Sequence, residues 1–192
     1  MSSFVRLAGV VALIVSLGLA VQALVYVPDV KIPVPCGKDL VSKALIELVV
    51  GGSLEQKIRA LLILNSVAEL KVAIAVIVAL FKECGDELLK IGAGVAIDVD
   101  AHASIVACVS AVITLLVKIC LQLSVKFGVA AVVAIFADID VVLRVCLVNL
   151  EVCVVGIVAL IVQACVYITA SVLAQVKFDS CAEVLVKAGL AA

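Results

Sequence analysis

Four stretches of this chain, 53–84, 95–127, 129–155 and 157–188, contain neither glycine nor proline. That absence constrains the fold more than any other feature. A β-sandwich or barrel needs turn residues about every 8–12 positions. Runs of this length without breakers read as helices, although the many valines favour strand locally. All three prolines (Pro28, Pro33, Pro35) lie in one short stretch near the amino terminus. The sequence therefore predicts an all-α protein, with helices near 38–50, 54–84 (broken at Asn65), 101–126, 129–149, 151–176 and 180–190.

Local signals support these boundaries. Ser53-x-x-Gln56, Ser66-x-x-Glu69 and Ser180-x-x-Glu183 have the spacing of capping boxes, in which two side chains satisfy the free amides of a first turn. Gly51-Gly52 suits a helix end, and Gly85 reads as a stop after Cys84. The stretch GDELLKIGAGVAIDVD (85–100) is the most loop-like part of the body, with room for a short helix at 86–91.

Residues 1–23 have the layout of a secretory signal: Arg6, the apolar core LAGVVALIVSLGL (7–19), and small residues at Val21 and Ala23. Residues 24–37 read as an extended arm and 38–192 as one helical domain. Removing Arg6 with the signal leaves a net charge of −2, which gives no reason to expect a nucleic-acid partner. All eight cysteines follow residue 23: Cys36, Cys84, Cys108, Cys120, Cys146, Cys153, Cys165 and Cys181. An even number behind a secretion signal predicts four disulfides. The pairing stays open, since roughly a hundred connectivities are possible.

One apolar segment is repeated. CVSAVITLLVKIC (108–120) returns 45 residues later as CVVGIVALIVQAC (153–165), and VAIAVIVALFKEC (72–84) keeps only the last cysteine. On a helix, cysteines twelve apart stand about 18 Å apart along the axis. A disulfide needs Cα atoms within about 7 Å, so each cysteine must reach another element. The expectation is a disulfide-stapled helical bundle in which the two full repeats are equivalent helices.

Polar residues recur at intervals of four within each copy. Ser110, Thr114, Lys118, Gln122 and Lys126 form one stripe; Gln163, Tyr167, Ser171 and Gln175 form the other. Residues four apart share a helix face, and the cysteines lie opposite it. The stripe is only one residue wide. Some 67% of the chain is apolar against about 45–50% in ordinary globular domains, and Trp is absent. Helices apolar almost all round must be covered by protein, lipid or an interface.

Chemistry-bearing constellations are few. Asp98-x-Asp100-x-His102 has metal-ligand residue types, but it reads better as a loop ending in an N-cap at Asp100. Asp138 and Asp140 sit inside an apolar run and suggest a kink or turn. His102 is the only histidine, and no nucleophile elbow, phosphate loop or dinucleotide fingerprint is present. Nothing here predicts an enzyme, a cofactor or a resident metal.

In composition, the chain after residue 23 resembles the small, secreted, very hydrophobic eight-cysteine proteins of fungal cell walls that act alongside hydrophobins or in their place. Hydrophobins themselves carry Cys-Cys doublets, and no two cysteines are adjacent here. The resemblance implies a secreted amphiphilic structural protein that self-associates and coats a hydrophobic interface, cell-wall polymer or lipid. A lipid-binding protein with an apolar cavity is the first alternative; the Cys-Cys and Cys-x-Cys elements of plant lipid-transfer proteins are missing. A multi-span membrane protein is the second, since 152–176 is uncharged and long enough to span, and 101–117 is nearly so.

Overall fold

The structure, a computed structural model, describes residues 30–190, so the signal segment lies outside the described residues. Those residues form eight α-helices and no strand. They are α1 (Leu40–Ile46), α2 (Leu54–Ala60), α3 (Val67–Ile91), α4 (Val99–Phe127), α5 (Val129–Cys153), α6 (Ile157–Ala164), α7 (Ala170–Gln175) and α8 (Asp179–Lys187). A π-helical turn (Glu47–Gly51) follows α1, and a 3-10 turn (Leu61–Ile63) follows α2. The all-α expectation holds.

The arm runs along the bundle without regular structure from 30 to 38. The described part is tied down near residues 30–32 and at 36. The Ile32 amide donates to Glu55 Oε2 at 3.0 Å, Arg59 donates to the Val30 carbonyl, and the Cys36 amide donates to Ser104 Oγ at 3.1 Å.

Three long helices make the body. α4 is the most deeply buried, with Ile105, Leu115, Leu116, Val117, Ile119 and Leu123 inaccessible. Gly128 alone joins it to α5, at a φ of 87° that favours glycine, so the two form an antiparallel hairpin. α3 and α5 run parallel. Cys146 Sγ donates to the Phe81 carbonyl, Asn149 Nδ2 to the Gly85 carbonyl, and Cys153 Sγ to the Leu88 carbonyl, so both numbers rise together along the contact.

Several boundaries differ from expectation, each for a visible reason. The Ser66–Glu69 capping box forms, with Ser66 Oγ and Glu69 each accepting an amide of the other. The other two boxes do not. Ser53 adopts a left-handed conformation with no side-chain cap, and α8 is capped from elsewhere. Gly85 does not stop α3; it lies against α5, where a Cβ would make ordinary contact with Cys146 Sγ at 3.4 Å. The helix at 86–91 is simply the end of α3. Asp98, not Asp100, caps α4, accepting the Ala101 amide at 2.7 Å.

The predicted helix 151–176 is three pieces. α5 ends at Cys153, Gly156 turns the chain at a φ of 84°, α6 ends at Ala164, and α7 starts only at Ala170. Glu151 braces the turn: its two carboxylate oxygens accept the Gly156 amide at 2.6 Å and the Val158 amide at 3.0 Å. Gly156 stands where the first repeat has Ala111. Glycine favours that φ and Glu151 braces it, so 153–165 spans a turn and a short helix while 108–120 lies within one helix. The repeats are not structurally equivalent.

The disulfide staples are also corrected. All eight cysteines are free thiols. Seven of them, all but Cys36, are small buried side chains with a weak donor. Cys146 and Cys153 donate to carbonyls of α3, and Cys181 Sγ donates to the Asp140 carbonyl at 3.3 Å. Each ties helix to helix, but through a hydrogen bond.

Candidate functional site: an uncovered apolar face

α5 buries Val132, Phe136, Ile139, Leu143, Leu147 and Leu150 against the core. Its outer side is also apolar. Val141, Val145, Val148 and Val152 are 38–55% exposed and stand at i, i+4, i+7 and i+11, the spacing of one helix face. Ala130, Ala134 and Ala137 continue the face toward the amino end, and only Asp138 and Arg144 interrupt it. On the parallel neighbour α3, exposed Val72 and Val76 lie at the same levels with Ala68, Ala75 and Ala79 beside them, and the exposed Lys71 and Lys82 stand on the flank of α3 nearer α5.

The face continues over one end of the bundle. Lys126 Nζ donates to the Leu62 and Leu64 carbonyls at 3.2 and 2.5 Å, which brings the end of α4 beside the 3-10 turn. Around that contact Ile63, Val67, Val125 and Val129 are all exposed. Monomeric soluble proteins rarely leave a contiguous apolar patch beyond a few hundred Å² uncovered.

The sequence-predicted residues fall differently. The first polar stripe is largely turned inward. Ser110 is buried, Thr114, Lys118 and Gln122 are half-buried, and only Lys126 is exposed. The hydroxyls are satisfied within their own helix: Ser110 Oγ donates to the Ala107 carbonyl and Thr114 Oγ1 to the Ser110 carbonyl. α4 is wrapped by neighbours, so its stripe does not face water along its length. Gln163, Tyr167, Ser171 and Gln175 are all exposed, but on α6, the following turn and α7 rather than one helix.

Among the cysteines, Cys36 alone is exposed. Burial pushes the Cys108 and Cys120 thiols up to about 12 and Cys165 up to about 11. Cys146 is raised by its hydrogen bond with the Cys84 thiol and then by burial; Cys181 is raised by burial and by the charge of Asp140. Such thiols stay protonated at neutral pH and are poor nucleophiles.

The paired aspartates resolve into separate roles. Asp140 is buried, and its carboxylate accepts the Ser180 amide at 2.9 Å and the Cys181 amide at 2.8 Å. It caps α8 from another helix. Asp138 is exposed. Among the described residues, no three His, Cys, Asp or Glu side chains are grouped to hold a metal ion.

Among the described residues, α4 alone is a helix long and apolar enough to cross a membrane, and 56% of its most apolar window is buried inside the bundle. The other predicted span, 152–176, is broken at Gly156 and again after Ala164. No protein-family model, curated protein or solved structure matches this chain.

Proposed function

We propose that this is a structural protein of apolar boundaries, which adsorbs through the outer face of α5 and the adjoining part of α3 and coats the surface it meets. The secreted, wall-associated setting belongs to the same proposal. One observation carries it: seven small or branched apolar side chains follow one another on the outside of α5, from Ala130 to Val152, with two charges among them. Withdrawing apolar surface from water is favourable by about 25 cal/mol per Å². A patch of roughly 300–400 Å² then contributes about 8–10 kcal/mol, ample for strong adsorption.

The carrier alternative needs a closed interior that shields a whole lipid, which a surface groove does not provide. The apolar gap bounded by Phe81, Leu88, Cys108, Val112, Leu143 and Leu147 holds about 20 Å³, the scale of a single water rather than a lipid.

Pendant-drop tensiometry at micromolar protein tests the proposal. The chain should lower surface tension well below a soluble helical control. Val141→Lys with Val148→Lys places two charges on the exposed face without touching the core, and should remove at least half of that fall. Gln163→Lys with Gln175→Lys should not. Tension at the control level, or an unchanged fall in the α5 double variant, would overturn the proposal.

A further inference from the structure

A groove of about 540 Å³ opens between α1, the π-helical turn and the carboxyl-terminal half of α3. That volume lies within the range of small-molecule sites, about 300–1,000 Å³. It is remote from the outer face of α5, because it is lined from the other flank of α3. Leu40, Ala44 and Leu48 line one wall, and Leu80, Cys84 and Ile91 the other.

The polar residues at the groove are mostly of one sign. Glu47 stands on the α1 side and Glu83 and Glu87 on α3, against the single Lys43. Glu87 already pairs with Lys90 at 2.6 Å. Glu47 and Glu83 have no ion-pair partner among the described residues.

The backbone keeps the wall open. π-helical turns are rare and frequently occur at functional sites. This one ends in Gly51 and Gly52. A Cβ on Gly51 would lie 2.1 Å from Glu47 Oε1, so glycine is what lets that carboxylate lie back along the turn. A Cβ on Gly52 would lie 2.6 Å from the Leu48 carbonyl oxygen and 3.0 Å from Leu80 Cδ2, narrowing the gap between the walls.

We propose that this groove binds a small cationic amphiphile, with an alkyl chain along the leucine-lined walls and an ammonium group held at the mouth by Glu47 and Glu83. Charge complementarity selects the head group. A carboxylate or phosphate head would meet a mouth with more acidic than basic groups, and a neutral head would gain no charge–charge attraction there. A bare metal ion has no ligand cage.

The test is an amide chemical-shift titration of the full chain with octylammonium, 1-octanol and octanoate, each below its self-assembly concentration. Octylammonium should give saturable shifts confined to 40–52 and 80–91. Octanol should bind about tenfold more weakly and octanoate not measurably. Salt at about 0.5 M should close most of the gap between octylammonium and octanol by screening. Glu47→Gln with Glu83→Gln should weaken octylammonium about tenfold and leave octanol unchanged. Ala44→Trp, which fills the groove from α1, should abolish both. Equal affinity for octanol and octylammonium, shifts confined to α5, or no saturable shift would each overturn the proposal.

Discussion

Replacing Asp140 by alanine should undock α8. The carboxylate sits on α5 and accepts two amides from the first turn of a helix 40 residues further along. Alanine removes two charge-assisted hydrogen bonds and leaves the Cys181 amide buried without an acceptor. Each such bond contributes about 1.5–3 kcal/mol, and an orphaned buried amide costs about 1–3 kcal/mol. The favourable meeting of a negative charge with a helix amino terminus disappears as well. These quantities overlap, and a net loss of about 3–4 kcal/mol follows. α8 has only nine residues and cannot persist alone. The contact between Phe136 and Phe178, whose ring centroids are 6.3 Å apart, should loosen with it. Asp140→Asn keeps one acceptor oxygen and should lose about half as much. Urea unfolding gives the total, and hydrogen exchange locates it: amides 180–187 should lose protection before those of α4. A loss under about 0.5 kcal/mol for Asp140→Ala, or unchanged exchange in α8, refutes the assignment of Asp140 as the cap.

In the native state a thiol reagent should label one cysteine quickly, Cys36, and the other seven only after unfolding; fast labelling of two or more refutes the buried-thiol arrangement. Stability should also fall in alkali. Unfolded thiols ionise near pH 8.5, whereas Cys108, Cys120 and Cys165 in the fold resist to about 11–12. Their contribution is full below about pH 8.5 and is lost as pH rises toward 12, at about 1.4 kcal/mol per pH unit per thiol; a flat denaturation midpoint from pH 8 to 10.5 would contradict it. The two helix-associated glycines should respond oppositely to alanine. Gly85→Ala has room and should stabilise by about 0.5–1 kcal/mol, while Gly156→Ala is held at positive φ and should cost about 1 kcal/mol, both read from thermal unfolding.

The helical body was legible because run length and one capping box are local properties. Ser66 and Glu69 satisfy each other three residues apart, and α4 needs only its own unbroken run. The misjudged features depend on distant partners. Gly85 resembles a stop until α5 is known to lie against it. Asp140 resembles a kink until α8 is seen to begin on its carboxylate. Cys146 and Cys153, read as disulfide partners, instead donate across a helix contact to carbonyls 65 residues away. The polar stripe of α4 was a sound periodicity given the wrong environment, since back-bonding to its own carbonyls lets Ser110 and Thr114 sit against neighbours. The exposed valines of α5 have a plain helical spacing, but nothing local distinguishes an outward apolar face from an inward one.

The parallel pairing of α3 with α5 has a consequence for synthesis. α3 is complete at residue 91, but its partner is not complete until residue 153. At about 5–20 residues per second, the side of α3 that receives α5 waits roughly 3–12 s on the ribosome. During that interval Ile74, Ile77 and Phe81 can be covered only in part, by α1, α2 and the emerging α4. Nascent chains of this protein should therefore be unusually dependent on holding factors at the tunnel exit, and a pause placed before residue 129 should raise aggregation more than the same pause placed after residue 153.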